Sequence, residues 1–145
     1  MYKHILLPTD GSPLSDMAIE QGLAFAREIG AKVTLLMVVE PFHIISADAD
    51  QLAKTREEYE AYAKERAARY LKTLHAKAEA LGVACETEHM VNGEPYRTII
   101  DTAKARGCDL IAMASHGRRG VSALLLGSET TKVLTHSTIP VLVYR

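Results

Sequence analysis

Five short apolar, strand-like runs punctuate the chain: Lys3 to Leu7, Lys32 to Val39, Ala84 to Val91, Leu110 to Ala114 and Pro140 to Tyr144. The second carries Val33, Leu35, Leu36, Met37, Val38 and Val39 almost without interruption, the pattern of a strand covered on both faces by helices. Between the runs the period changes. From Ser15 to Ile29, residues Met17, Ala18, Leu23, Ala24, Ala26 and Ile29 fall on one broad face, and Gly30 follows as a helix stop. Tyr59, Ala63, Ala67, Tyr70, Leu74, Ala78 and Leu81 recur at helical spacing, which predicts a long helix over Gln51 to Leu81 closed by Gly82. Its other face pairs Glu60 with Lys64 and Glu65 with Arg69, as a solvated surface would. Shorter helices are expected over Tyr96 to Arg106 and Ser128 to Thr135.

Strict alternation of strand and helix implies an α/β, doubly wound, three-layer domain whose parallel strands are joined by right-handed crossovers. Five such strands fit the flavodoxin-like order 3-2-1-4-5. A length of 145 residues suits one such domain over 1–145. Ligands of these sheets bind beyond the carboxyl ends of the strands where the order reverses, here between strands one and four. The loops to inspect are therefore Pro8 to Ser15, with Ser15 as the expected helix cap, and Ser115 to Gly127. Pro41 to Asp50 reads as an irregular surface connection, with a flap or partner surface as the alternative.

Composition narrows the function. Hydrophobic content of 48% with 24% charge is that of a folded chain. Lysine plus arginine (17) nearly cancels aspartate plus glutamate (18), so no broad field favours nucleic acid or an anionic membrane. No apolar run approaches a membrane span, and Met1-Tyr2-Lys3-His4 lacks the regions of a signal peptide. Cys85 and Cys108 form no C-x-x-C pair and read as buried thiols in a reducing, cytoplasmic setting. The histidines show no metal-ligand spacing.

Candidate chemistry gathers in the two loops. Asp10 stands at the mouth of the crevice, where its carboxylate could accept hydrogen bonds from a ribose or a base, or hold the βα turn by bonding backbone N–H groups. The two roles are compatible. Gly117 and Gly120 permit close backbone approach, and Gly127-Ser128 precedes a helix whose free N–H groups and positive dipole end suit a phosphate. Ser128 as a simple N-cap is the plainer alternative. Arg118 and Arg119 either reach phosphate oxygens or are solvated, and His116 either contacts the ligand or packs. Catalysis has thin support: there is no G-x-x-x-x-G-K-[S/T] loop, and Asp10 is the one carboxylate placed at the crevice. Slow ATP turnover or self-phosphorylation is the most this supports.

From His4-Ile-Leu-Leu-Pro-Thr-Asp10-Gly-Ser12 to Ile139-Pro-Val-Leu-Val143 the chain resembles the universal stress protein family, whose fold is also described as adenine nucleotide alpha hydrolase-like. It is similar to the ATP-binding members, known by G-x-x-G, nine residues, then G-[S/T]; here Ala114-Ser-His-Gly117, nine residues, then Gly127-Ser128, with only the first glycine changed. The resemblance implies a stress-response protein binding ATP or AMP, with Mg or Mn alongside a triphosphate. It implies adenine near Pro8, Thr9 and Val38, ribose near Asp10, and phosphates at Gly117, Gly127, Ser128, Glu129 and Thr130. Met113, Ala114, His116 and Arg118 complete the implied set. Alanine at 114 costs binding if that position needs positive φ or direct phosphate contact; if it ends strand four in a β conformation its N–H stays available, and weaker or altered phosphate preference is expected instead of lost binding, with Arg118 and Arg119 able to compensate in part.

Rival readings fare less well. A phosphoryl receiver would need an acceptor Asp after strand three, where Val91-Asn-Gly-Glu94 stands, and a flavin carrier is poorly served by two Phe and no Trp. The stronger rival is a dimeric interaction protein with a structural glycine loop. On either reading the last strand, Pro140 to Tyr144, lies at a sheet edge that invites pairing into a homodimer.

Overall fold

The computed structural model describes residues 1–41, 49–117 and 125–145, the side chains of 49–54 excepted. Along the chain come β1 (His4–Thr9), α1 (Pro13–Ile29), β2 (Lys32–Val39), α2 (Ala49–Ala80), β3 (Cys85–Val91), α3 (Pro95–Ala105), β4 (Leu110–Ala114), α4 (Ser128–His136) and β5 (Val141–Tyr144). All strand pairs are parallel, in the order β3-β2-β1-β4-β5, the expected topology.

The two-residue period of the central strands builds two cores. Ile5, Leu7, Val33, Leu35, Leu110 and Ala112 pack on one face against Ile19, Leu23 and Ala26 of α1 and Leu71, Leu74 and Ala78 of α2. Leu6, Leu36, Ile111 and Met113 point the other way, against Ile99, Ile100 and Ala103 of α3 and Val133 of α4. Each fully buried leucine or isoleucine stabilises the fold by about 1.5–3 kcal/mol. Gly22 lets α1 settle onto β1: a Cβ there would lie 2.6 Å from Leu7 Cδ2.

Three boundaries differ from the sequence reading by two residues or more, and several others by one. Helix α1 is capped by Ser12, not Ser15; the Ser12 hydroxyl accepts from the Ser15 N–H at 3.2 Å, and Pro13 opens the helix with φ already suited to it. Ser15 lies inside the first turn, its hydroxyl donating to the Ser12 carbonyl at 3.1 Å. Strand β1 runs two residues beyond Leu7, to Thr9. The long helix begins at Ala49, two residues before Gln51.

Cys108 is buried as expected, whereas Cys85 is only partly so, on the edge strand β3. Burial pushes both thiols up to about 11, which leaves them protonated and unreactive at neutral pH. Among the described residues no helix is long and apolar enough to cross a membrane.

Candidate functional site

Toward its carboxyl end β1 keeps one neighbour and loses the other. Its pairing with β2 continues to Thr9 opposite Met37, whereas its register with β4 covers only Ile5 and Leu6. Pro8, which has no N–H for a ladder, sits in the stretch where the β4 pairing has ended.

The turn that follows is tied internally. Thr9 Oγ1 shares a buried 2.8 Å hydrogen bond with Ser15 Oγ and accepts the Gly11 N–H at 3.1 Å. Gly11 itself takes φ 79°, a conformation glycine adopts without strain. Asp10 Oδ1 accepts the Ser12 N–H at 2.9 Å, so the turn-holding role is real. Its other oxygen reaches across the crevice: a Cβ on Gly117 would collide with Asp10 Oδ2.

Opposite, β4 ends in buried Ala114, whose carbonyl accepts from Thr130 Oγ1 at 2.9 Å. Every described residue with positive φ is a glycine and Ala114 continues the strand, so its methyl group carries no backbone penalty. The Ser115 N–H donates to the Tyr144 carbonyl at 2.8 Å, and the Ser115 carbonyl accepts the Gly127 N–H at 2.7 Å. That contact accounts for the glycine at 127, since a Cβ there would stand 3.1 Å from Ser115 O and 3.2 Å from His116 Cα. Gly127 thus answers to the return of its own loop onto Ser115 and His116, and Gly117 to the reach of the Asp10 side chain from the β1 loop. His116 shares a 3.0 Å hydrogen bond between Nδ1 and Ser115 Oγ, while its buried Nε2 has no partner among the described residues.

Helix α4 starts immediately after this contact. Gly127 is its N-cap, not Ser128, and offers no side chain to bond the first-turn N–H groups. Ser128 is exposed and makes no side-chain hydrogen bond among the described residues. The Thr130 hydroxyl is engaged by Ala114, and the Glu129 carboxylate turns to α3, accepting the Tyr96 N–H at 2.9 Å and facing Lys132 Nζ at 3.4 Å. What this helix end offers a ligand is therefore backbone N–H, the Ser128 hydroxyl and the positive end of the dipole.

Of the residues singled out from sequence, the structure brings together Thr9, Asp10, Ala114, His116, Gly117, Gly127, Ser128, Glu129 and Thr130 at the ends of β1 and β4. Pro8 is buried in β1, and Val38 and Met113 share the core cluster beneath the crevice on the α3 side. Arg118, like Arg119, Gly120 and most of the 115–127 loop, lies outside the described residues, as does most of Pro41 to Asp50. Sequence reasoning passed over Ser115, whose carbonyl and hydroxyl position Gly127 and His116; its place inside the glycine motif was the available signal. It also missed the bond from Tyr96 to Glu129, which spans 33 positions and leaves no local trace. Among the described residues no group of three or more metal-ligating side chains converges.

A sequence profile described as the universal stress protein family matches residues 1–145. Universal stress protein MJ0531 of Methanocaldococcus jannaschii is 33% identical over all of this chain and 83% of its own length. Universal stress protein MJ0577 of the same organism is 33% identical, with 100% of this chain and 96% of that protein covered. The solved structure of MJ0577 superposes with a TM-score of 0.83 at 30% identity, covering 99% of this chain and 95% of that one. A universal stress protein solved with cAMP shares the fold at TM-score 0.68 and 23% identity over 99% of this chain and 97% of its own. One from Archaeoglobus fulgidus solved with dAMP does so at 0.64 and 20% over 99% and 98%. The protein belongs to the universal stress protein family.

Proposed function

We propose that this protein binds an adenine nucleotide, AMP or ATP, at the ends of β1 and β4 and acts in the cellular stress response as a nucleotide-dependent regulatory dimer in the cytoplasm. The observation that carries the reading is the uncapped start of α4 at the point where strand order reverses. Beside it lies a buried ring nitrogen, His116 Nε2, without a partner among the described residues. Such a group costs about 1–3 kcal/mol unless something bonds it, and a ligand oxygen or ring nitrogen would do so. Relatives of this fold solved with cAMP and dAMP support an adenine nucleotide as that ligand.

In this reading the phosphates meet the N–H groups of Ser128 to Thr130 together with Gly117 and Gly127. Asp10 accepts from the ribose, and the base lies near Pro8, Thr9 and Val38, with Met113, Ala114 and Arg118 around them. Ala114 is compatible with binding, because its position needs no positive φ. Mg or Mn would enter with a triphosphate, held by phosphate oxygens. The dimer reading rests on β5, which pairs on one side only and is half-buried along its whole length.

The test is to identify nucleotide released from denatured, freshly purified protein, then titrate AMP and ATP into wild type and Gly127→Asp by calorimetry. Saturable binding by wild type, lost in the variant, is the expected result; no binding with or without magnesium would overturn the reading. Light scattering at micromolar concentration tests the dimer, which a clean monomer mass would exclude.

A further inference from the structure

The side chain of Glu129 makes an unusual connection for the first turn of a helix. The N-cap of α3, Glu94, makes no side-chain cap, and its Pro95 has no N–H to satisfy. The next N–H, that of Tyr96, is bonded instead by Glu129 from α4 at 2.9 Å, so the carboxylate serves as a cap supplied by a different helix. The same group lies one residue inside the proposed phosphate-binding end. Its bond to Tyr96 holds it beside an anion that arrives there.

Resting on the nucleotide-binding reading, we propose that Glu129 sets the phosphate-number selectivity of the site, favouring nucleoside monophosphates over triphosphates when no divalent cation is present. A fixed carboxylate about 7 Å from a phosphate, on the scale of a helical turn, acts in water-like screening as a penalty of about threefold in affinity per ligand charge. ATP carries about two more negative charges than AMP, so the penalty on their ratio is about tenfold. Lys132 approaches Glu129 Oε1 at 3.4 Å, but with half of its side chain exposed it is screened by solvent and offsets the charge only in part. Asp10, whose carboxylate reaches Gly117 on the opposite wall, adds a second fixed negative group. A divalent cation bound to a triphosphate removes the discrimination by neutralising the added charge.

Glu129→Gln removes the charge and keeps an oxygen that can accept from Tyr96. Titrating AMP, ADP and ATP in EDTA at low salt should show affinity falling with phosphate number in wild type. The ATP-to-AMP affinity ratio should rise about tenfold in the variant and the shift should shrink at high salt. Glu129→Ala should give the same change of ratio together with a lower melting temperature from loss of the α3 cap. A ratio identical in wild type and Glu129→Gln, or one that moves only in Glu129→Ala, would overturn the proposal. Failure of every nucleotide to bind either protein would instead overturn the site reading on which it rests. The undescribed Arg118 and Arg119 are the same in all three proteins, so the change of ratio isolates Glu129.

Discussion

The two ends of the sheet are built to opposite rules. At the amino ends of the strands the polar groups satisfy one another. Asp109 accepts the N–H of Lys3 at 2.9 Å and of His4 at 3.0 Å, and His4 Nε2 bonds the buried Thr34 hydroxyl at 2.7 Å. Arg106 bridges Glu86 and Glu88 at 3.0 and 2.9 Å, while Lys32 meets Glu86 at 2.7 Å. At the carboxyl ends the backbone is held as firmly, through Thr9 with Ser15, Ser115 with Gly127 and Thr130 with Ala114. Yet, among the described residues, α4 is left without a side-chain cap and His116 Nε2 without a partner. One end completes its bonds and serves stability; the other is rigid in its frame and incomplete in its chemistry, as a binding site must be.

The largest effect is expected at Gly117. A Cβ there meets the end of a side chain, Asp10, rather than backbone, so Gly117→Val should fold while displacing the carboxylate from the crevice. Loss of a hydrogen bond to a charged group predicts AMP affinity lower by about tenfold to hundredfold, measurable by calorimetry, with melting little changed. Equal damage to stability and binding would show that this contact belongs to the frame.

Asp109→Ala is the complementary experiment at the opposite end. It should cost about 1–2 kcal/mol, or about 2–8 °C in melting temperature, and leave nucleotide affinity unchanged. The smallest effect concerns His4. Burial, then the nearby Lys32 ammonium, hold its imidazole below the ordinary pKa despite Glu86 and Asp109 pulling the other way. The unfolded chain therefore binds a proton near pH 6.5 that the folded chain refuses. This contribution to stability is complete above about pH 6.5 and declines as the pH falls below it. The carboxylates of Asp109 and Glu86, both held below their usual range, add to the loss only near pH 4 and lower. Denaturant unfolding between pH 7 and 5 should show the decline in wild type and a flatter profile in His4→Gln.

Local pattern was enough for the fold because each element carries its own signal. Leu110 to Ala114 and Lys32 to Val39 are strands within the predicted bounds, and alternation with helices left the reversal between β1 and β4 as the place to search. The cap on α1 was misassigned although Ser12-Pro13 is itself a helix-start signature, Pro being favoured at the first helical position. Gly117 and Gly127 read as close-approach positions, but what approaches Gly117 is Asp10 of the facing loop, and what approaches Gly127 is the Ser115-His116 backbone of its own. The first depends on how β1 and β4 diverge, and both are invisible in spacing. The Glu129 carboxylate was the hardest to foresee, because its partner is an N–H on another helix that no residue type advertises.

The most direct test of the difference between the two ends is a titration of isotope-labelled protein with AMP, followed by amide chemical shifts. Saturable changes are expected at Asp10 to Ser12, Ser115 to Gly117 and Ser128 to Thr130, with Lys3, His4, Arg106 and Asp109 unmoved. Shifts centred on the amino ends of the strands, or none at millimolar AMP, would contradict that difference.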